Sequence, residues 1–139
     1  MRKILIGTLF IIILLFPNCE KEKKNVSQDC EYVLCTMIYK SIDVLIRHLN
    51  TNIPVVLTSY KVIRTSDNSI IREESGDFTV NNGYYLVVED NLVQHYKNST
   101  FEVEFQGFIN NSEVVQTKLV IYIDCCHVNL VSGTKELYI

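Results

Sequence analysis

Strict alternation of apolar and polar residues marks two segments of the chain as half-buried β-strands. In residues 41–47 the even positions are Ile, Val and Ile, whereas Asp43 and Arg47 lie on the other face. In residues 101–106 the odd positions are Phe, Val and Phe, and the even positions are Glu, Glu and Gln. Because successive side chains of a strand point to opposite faces, each segment is predicted to place one face in a hydrophobic core.

The longest β-branched and aromatic run beyond the N-terminal region spans residues 117–131. It is apolar on both faces as far as Ile123, which is typical of a strand inside a sandwich rather than at an exposed edge. We expect either one long strand over residues 114–131 or two strands divided near Asp124.

Shorter segments between polar turns complete an all-β pattern. The chain has no Ala, the best helix former, and is rich in residues that favour strands. Residues 32–39 are expected to form a second strand or an irregular lead-in, with a helix as the main alternative, and residues 92–96 are ambiguous. Further strands or extended pieces are predicted at residues 55–64, 70–74, 78–80, 84–89 and 135–139. Roughly seven to nine short strands predict one antiparallel β-sandwich over residues 30–139.

Residues 1–18 have the pattern of a secretory signal peptide. A cationic start, Met1-Arg2-Lys3, precedes about thirteen mostly large apolar residues at positions 4–16. Thirteen residues rise roughly 20 Å as a helix, which is short of the roughly 30 Å hydrocarbon core of a bilayer. The pattern therefore predicts a cleavable leader rather than a stable membrane span.

A cysteine directly follows the leader, and its surroundings resemble a bacterial lipoprotein signal. The sequence Pro17-Asn18-Cys19 precedes a charged segment, and the resemblance implies that Cys19 carries acyl chains such as palmitate and becomes the mature N-terminus. The usual pattern has Leu three residues before the cysteine and a small residue just before it, where this chain has Phe16 and Asn18. Residues 19–29, almost entirely charged and polar, are predicted to be a lipidated tether. An ordinary signal peptide is the alternative.

The lipoprotein resemblance also implies a location in the bacterial cell envelope, at the outer membrane, on its periplasmic or its surface face. The formal net charge is −3 and becomes −5 when Arg2 and Lys3 leave with the leader. A mildly acidic chain without a basic cluster in its folded part argues against a nucleic-acid partner. The expected partners are the membrane, through the lipid anchor, and an unidentified protein or glycan. No cofactor is expected.

The cysteines predict a disulfide framework. With Cys19 lipidated, four of the five cysteines remain, and an even number in an exported chain favours disulfides with three possible connectivities. They form two close pairs, Cys30 with Cys35 and Cys125 with Cys126. On regular strands the members of each pair would point to opposite faces, which favours two disulfides that join the first pair to the second.

Two alternatives remain open for the same cysteines. A vicinal bond between Cys125 and Cys126, with Cys30 and Cys35 paired locally, would make a redox-active site. Residues Cys125, Cys126 and His127 are also ligand types that zinc accepts, although paired ligands in structural zinc sites are usually separated by two to four residues.

Three further pairs of residues have side chains that could carry chemistry. The aspartate and histidine that flank the second cysteine pair could act as acid and base, but such pairs are more often surface contacts. Two glutamates on one strand face could form a carboxylate pair, and two adjacent tyrosines could stack on sugar rings, although solvation and packing explain them first. These pairs are Asp124 with His127, Glu102 with Glu104, and Tyr84 with Tyr85.

Residues 42–86 resemble the carboxypeptidase-regulatory-like and transthyretin-like domains of bacterial envelope proteins. The similarity lies in Pro54-Val55 after the first turn and in the Gly-Tyr-Tyr-Leu sequence that begins at Gly83, before a later strand. The family usually has Gly before the Pro-Val, where this chain has Ile53. The resemblance implies an immunoglobulin-like or transthyretin-like sandwich. The Asp-Cys-Cys-His sequence at residues 124–127 is similar to that of small Bacteroidetes lipoproteins of unknown function.

These features favour a non-enzymatic envelope lipoprotein that acts in binding or assembly. The sequence has no Gly-x-Ser-x-Gly turn and no Gly-rich phosphate loop. One alternative is a thiol-redox or metal-binding envelope protein that uses Cys125, Cys126 and His127. Another is an accessory domain of a glycan-uptake system.

Overall fold

A computed structural model of the protein describes residues 30–139, which form eight β-strands and one short α-helix. The predicted signal peptide, the tether and Cys19 lie outside the described residues. Tight 3₁₀ turns occur at Cys30–Tyr32, Thr79–Asn81 and Asp90–Leu92, and helix α1 spans Val93–Tyr96. The strands are β1 (Ser41–Arg47), β2 (Ser59–Arg64), β3 (Ile70–Ser75), β4 (Tyr84–Glu89), β5 (Ser99–Ile109), β6 (Ser112–Ile123), β7 (Val128–Gly133) and β8 (Glu136–Tyr138).

The strands form two sheets, which confirms the predicted all-β sandwich. The larger sheet has the order β3-β2-β5-β6-β7 and the smaller one the order β4-β1-β8. All pairings are antiparallel except that of β8, which runs parallel to β1. This pair is the one exception among the described strands to the predicted antiparallel arrangement. After β7 the chain leaves the larger sheet for the smaller one, so no hairpin imposes an antiparallel direction on β8.

The inner faces of the two sheets meet in one hydrophobic core. The alternating residues of β1 and β5 point inward as predicted, and Val44, Val103 and Phe105 are completely buried. Aromatic rings join the two sheets at the centre. Tyr85 comes from the smaller sheet, and its ring centroid lies 5.5 Å from that of Tyr60 on β2. Edge-to-face contacts of this kind stabilise the core beyond simple burial.

The segment before β2 differs from the prediction. Residues 55–64 were expected to form one strand, but β2 begins only at Ser59. The buried hydroxyl of Tyr85 donates a hydrogen bond to the carbonyl oxygen of Val55 (2.7 Å) and accepts one from the N–H of Leu57 (2.8 Å). This side chain supplies partners that a neighbouring strand would otherwise supply, so the irregular segment can enter the core without unpaired groups at these atoms.

Other segments resolve the alternatives that the sequence left open. Residues 33–39 are irregular, which agrees with a lead-in rather than a strand or a long helix. The long run over residues 114–131 is divided into β6 and β7 by a turn at residues 124–127. The predicted extended piece at residues 78–80 is wrong, because a 3₁₀ turn begins at Thr79, whose N–H donates to the Asp77 carboxylate (2.9 Å).

Candidate functional site: the disulfide-bonded end of the sandwich

Two disulfides fasten the lead-in segment to the β6–β7 turn. They join Cys30 to Cys125 and Cys35 to Cys126, with Cα–Cα distances of 5.3 Å in both. These bonds join the first cysteine pair to the second, as the sequence favoured. The reason given for them was wrong, because Cys125 and Cys126 lie in the turn rather than on a regular strand. All four sulfur atoms are bonded, so none is a thiolate ligand for a metal.

Asp124 shapes the turn that carries the two cysteines. Its Oδ1 accepts hydrogen bonds from the backbone N–H groups of Cys126 and His127, both at 2.7 Å. Its Oδ2 accepts a hydrogen bond from the Asn129 amide at 2.9 Å. Burial raises the pKa of Asp124, but these hydrogen bonds outweigh burial and hold the pKa below its usual value. Asp124 therefore acts as a turn-forming carboxylate.

The ring of His127 pairs with a carboxylate that the sequence analysis did not consider. Its Nδ1 lies 2.7 Å from Oδ2 of Asp90, and its Nε2 lies 3.1 Å from the hydroxyl oxygen of Thr36. The predicted partnership between the ring and Asp124 is therefore wrong, since Asp124 binds the backbone of His127 instead. Asp90 and Thr36 are 37 and 91 residues away from His127, so no local spacing could reveal the cluster.

Asp90 also binds the backbone on both sides of the cluster. It accepts hydrogen bonds from the N–H groups of Lys40 and Val128, each at 2.8 Å. Burial raises the pKa of Asp90. The hydrogen bonds from His127 and from these two backbone groups lower the pKa by more than burial raises it, so the pKa of Asp90 lies below its ordinary value. Asp90 thus connects three elements: the lead-in segment, the end of β4 and the start of β7.

The order hydroxyl, imidazole, carboxylate is one that hydrolases use to activate a nucleophile. In this protein the same three side chains lie between the elements that the two disulfides connect. The His127 and Asp90 side chains are only 13% and 9% exposed, whereas Thr36 is on the exposed lead-in segment. Their placement supports a fastening role, in which polar contacts add to the covalent ones.

Two clefts adjoin the contact between Thr36 and His127. The larger has a volume of about 440 Å³ and the smaller about 270 Å³. Thr36, Cys126 and His127 line both of them. The larger cleft is also lined by Val33, Leu34, Tyr122, Asp124 and Cys125.

An exposed apolar segment, residues 32–39, forms the outer surface of this end. We call it the apolar segment. Leu34 is 97% exposed, and four other large apolar side chains are more than three-fifths exposed. These four are Tyr32, Met37, Ile38 and Tyr39. Exposure of several large apolar side chains within one segment is unusual on a globular domain and is typical of an interaction surface.

The other predicted site residues do not join this cluster. Glu102 forms an ion pair with Lys118 (3.2 Å), and Glu104 accepts a hydrogen bond from Gln106, so each has its own surface partner. Tyr84 is 52% exposed, but Tyr85 is completely buried. The suggestion that both tyrosines stack on sugars is wrong for Tyr85, because its ring packs in the core.

Among residues 30–139, no group of three or more His, Cys, Asp or Glu side chains is placed to hold a metal ion. Within the same range, no helix has the length and apolar character needed to cross a membrane.

Comparisons of the chain with protein families, with curated proteins and with solved structures found no match.

Proposed function

We propose that the chain is a non-enzymatic lipoprotein of the bacterial cell envelope, anchored at the outer membrane through Cys19. Its sandwich acts as a binding or assembly module whose contact surface is the disulfide-bonded end. The observation that carries this proposal is the apolar segment, which two disulfides hold in place although its large side chains face solvent.

Three features support the proposed location. The cationic and apolar leader, followed directly by Cys19, resembles a lipoprotein signal. Disulfides form and persist in oxidising compartments such as the bacterial periplasm. The resemblance of residues 42–86 to transthyretin-like and carboxypeptidase-regulatory-like envelope domains agrees with the same location.

Intact-mass analysis of the membrane fraction tests the anchor. We expect the mature protein to begin at Cys19 with added acyl mass, and the Cys19→Ser variant to leave the membrane fraction. As a matched control, Asn18→Gly restores a small residue before the cysteine and should preserve processing. A mature protein that retains residues 1–18, or that lacks acyl mass on Cys19, would contradict the proposal.

The number of free thiols distinguishes this function from a thiol-redox or metal-binding function. Denatured but unreduced protein should show no reactive thiol at Cys30, Cys35, Cys125 or Cys126. Two or more reactive thiols in protein from the envelope would favour the redox or metal alternative instead.

Comparison with an isosteric variant tests the non-enzymatic part of the proposal. Thr36→Val removes the hydroxyl that contacts His127 and keeps the shape of the side chain. We expect wild-type protein to hydrolyse small chromogenic esters no faster than this variant. A hydrolysis rate that depends on Thr36 would show that the hydroxyl, imidazole and carboxylate act as a catalytic set.

A further inference from the structure

We infer that the apolar segment rests on the lipid bilayer that carries the protein's anchor. This inference depends on the proposed lipidation of Cys19 and names the partner of the disulfide-bonded end. In this inference the lipid on Cys19 retains the protein at the membrane, and the apolar segment makes a second membrane contact that orients the sandwich.

The position of the apolar segment places it beside the anchor. Cys30 is the eleventh residue after Cys19, so the connection spans at most about 40 Å when fully extended. The disulfide to Cys125 fixes Cys30 at the β6–β7 turn, which determines the end of the sandwich where the anchored chain joins. The apolar segment begins only two residues later, at Tyr32. A lipid on Cys19 would therefore bring this end of the domain toward the membrane.

The composition of the apolar segment suits the membrane interface. It contains no charged residue, and the nearest charges in sequence are Glu31 and Lys40 at its two ends. Tyrosines occupy its first and last positions, and tyrosine prefers the boundary between headgroups and acyl chains. The side chains between them that are most exposed are aliphatic, and such side chains are stabilised by transfer out of water.

Two side chains in the middle of the apolar segment hold it against the domain. Cys35 is bonded to Cys126, and the Thr36 hydroxyl contacts His127. Their neighbours Leu34 and Met37 are left facing solvent. The domain thus holds the backbone in place while it presents apolar side chains outward.

The irregular backbone limits how deeply the apolar segment can insert. Backbone N–H and C=O groups outside a helix or closed barrel lose their water partners in the hydrocarbon region, which is costly. We therefore expect the side chains to reach the boundary of the acyl chains while the backbone stays among the headgroups. A shallow depth distinguishes this contact from a membrane span.

A single tryptophan can measure this contact, because the natural chain has none. Leu34→Trp places the probe in the apolar segment, and Val80→Trp is the matched control at a residue that is 83% exposed. Val80 precedes β4, whose first residue Tyr84 pairs with Leu45. The other end of β4 leads to Asp90 beside His127, so this strand, which is roughly 20 Å long, separates the turn that carries Val80 from the disulfide-bonded end.

The lipidated variants are reconstituted in phosphatidylethanolamine–phosphatidylglycerol vesicles, with or without bromine on acyl carbons near the headgroup. We expect the Leu34→Trp probe to shift to shorter wavelength and to lose at least about half of its emission to the shallow bromines. The Val80→Trp probe should be unchanged by bromination. Suppose that the protein floats with the vesicles but that the emission from Leu34→Trp is equal in plain and brominated vesicles. This result would overturn the inference of a membrane contact, and the proposed lipoprotein function would stand. Loss of flotation together with absence of acyl mass would instead refute the proposed function.

A second measurement removes the anchor. In the full mature chain with Cys19→Ser, the pair Leu34→Glu and Met37→Glu should lower the vesicle partition coefficient by at least about tenfold, because burial of each aliphatic side chain is lost. Val80→Glu should leave it unchanged. Equal partitioning of the two variants, or self-association that depends on Leu34, would assign the surface to another partner and overturn the inference.

Discussion

The two disulfides should contribute to stability in a strongly non-additive way. Each one alone closes a long loop, since the bonded cysteines are 95 and 91 residues apart. On a chain-entropy calculation, a loop of this length stabilises the folded state by about 4.6 kcal/mol. The second disulfide adds much less, because the first has already brought the two ends of the domain together.

The size of the ring that the second disulfide closes follows from which cysteines are bonded to each other. When Cys35 is bonded to Cys126, the bond between Cys30 and Cys125 closes a ring made of residues 30–35 and of residues 125 and 126, about eight residues. The same calculation gives about 2.5 kcal/mol for a ring of this size. Removal of either disulfide should therefore cost about 2.5 kcal/mol, and removal of both about 7 kcal/mol.

Urea unfolding of three variants measures these values. One variant carries Cys30→Ser with Cys125→Ser, another carries Cys35→Ser with Cys126→Ser, and the third carries all four changes. The long loop alone would contribute about 4 to 5 kcal/mol. If removal of either single disulfide lowers the unfolding free energy by this amount, the two disulfides act independently and the reasoning is wrong. The two single-disulfide variants decide the matter even if the third does not fold.

Two further predictions concern buried hydrogen bonds. Tyr85→Phe leaves the carbonyl of Val55 and the N–H of Leu57 without their buried partner, and it should lower the free energy of urea unfolding by about 2 to 4 kcal/mol. The exposed neighbour offers a matched control, since Tyr84→Phe should change this free energy by less than about 0.5 kcal/mol. Equal effects of the two substitutions would contradict the assignment. Because the folded-state pKa of Asp124 is lowered, its contribution to stability is complete above the unfolded value of about 3.9 and is lost as the pH falls through the folded value. Asp124→Asn should therefore weaken the acid dependence of the unfolding free energy, and an unchanged dependence would argue against this role.

Local patterns of apolar and polar residues were sufficient to predict the bounds of two strands in the smaller sheet. The strands at 41–47 and 84–89 have the predicted bounds, because each alternates or is uniformly apolar between clear turns. The segment from Val55 to Leu57 has the same apolar character but is not a strand. Its conformation depends on a hydroxyl that is 28 to 30 residues away in sequence, which the pattern of apolar positions cannot show.

The sequence predicted the disulfides of the candidate site but not its hydrogen bonds between side chains. An even number of cysteines was enough to favour disulfides. The pairing of Cys30 and Cys35 with Cys125 and Cys126 was favoured through strand alternation, although the second pair lies in a turn. The partner of His127 was not predictable, because a neighbouring aspartate was available at position 124. The turn bends that aspartate toward the backbone, and the ring instead faces Asp90 at the end of another strand.

The parallel pairing of β8 with β1 has a consequence for how the chain reaches its native state. Strand β1 is the first strand of the domain, and its second neighbour is the last one, with Leu45 opposite Glu136. The smaller sheet is therefore incomplete until the chain has been synthesised as far as β8. Contacts so distant in sequence form slowly, since loop closure must precede them. A chain whose smaller sheet cannot close early therefore stays open at this sheet until β8 has been made.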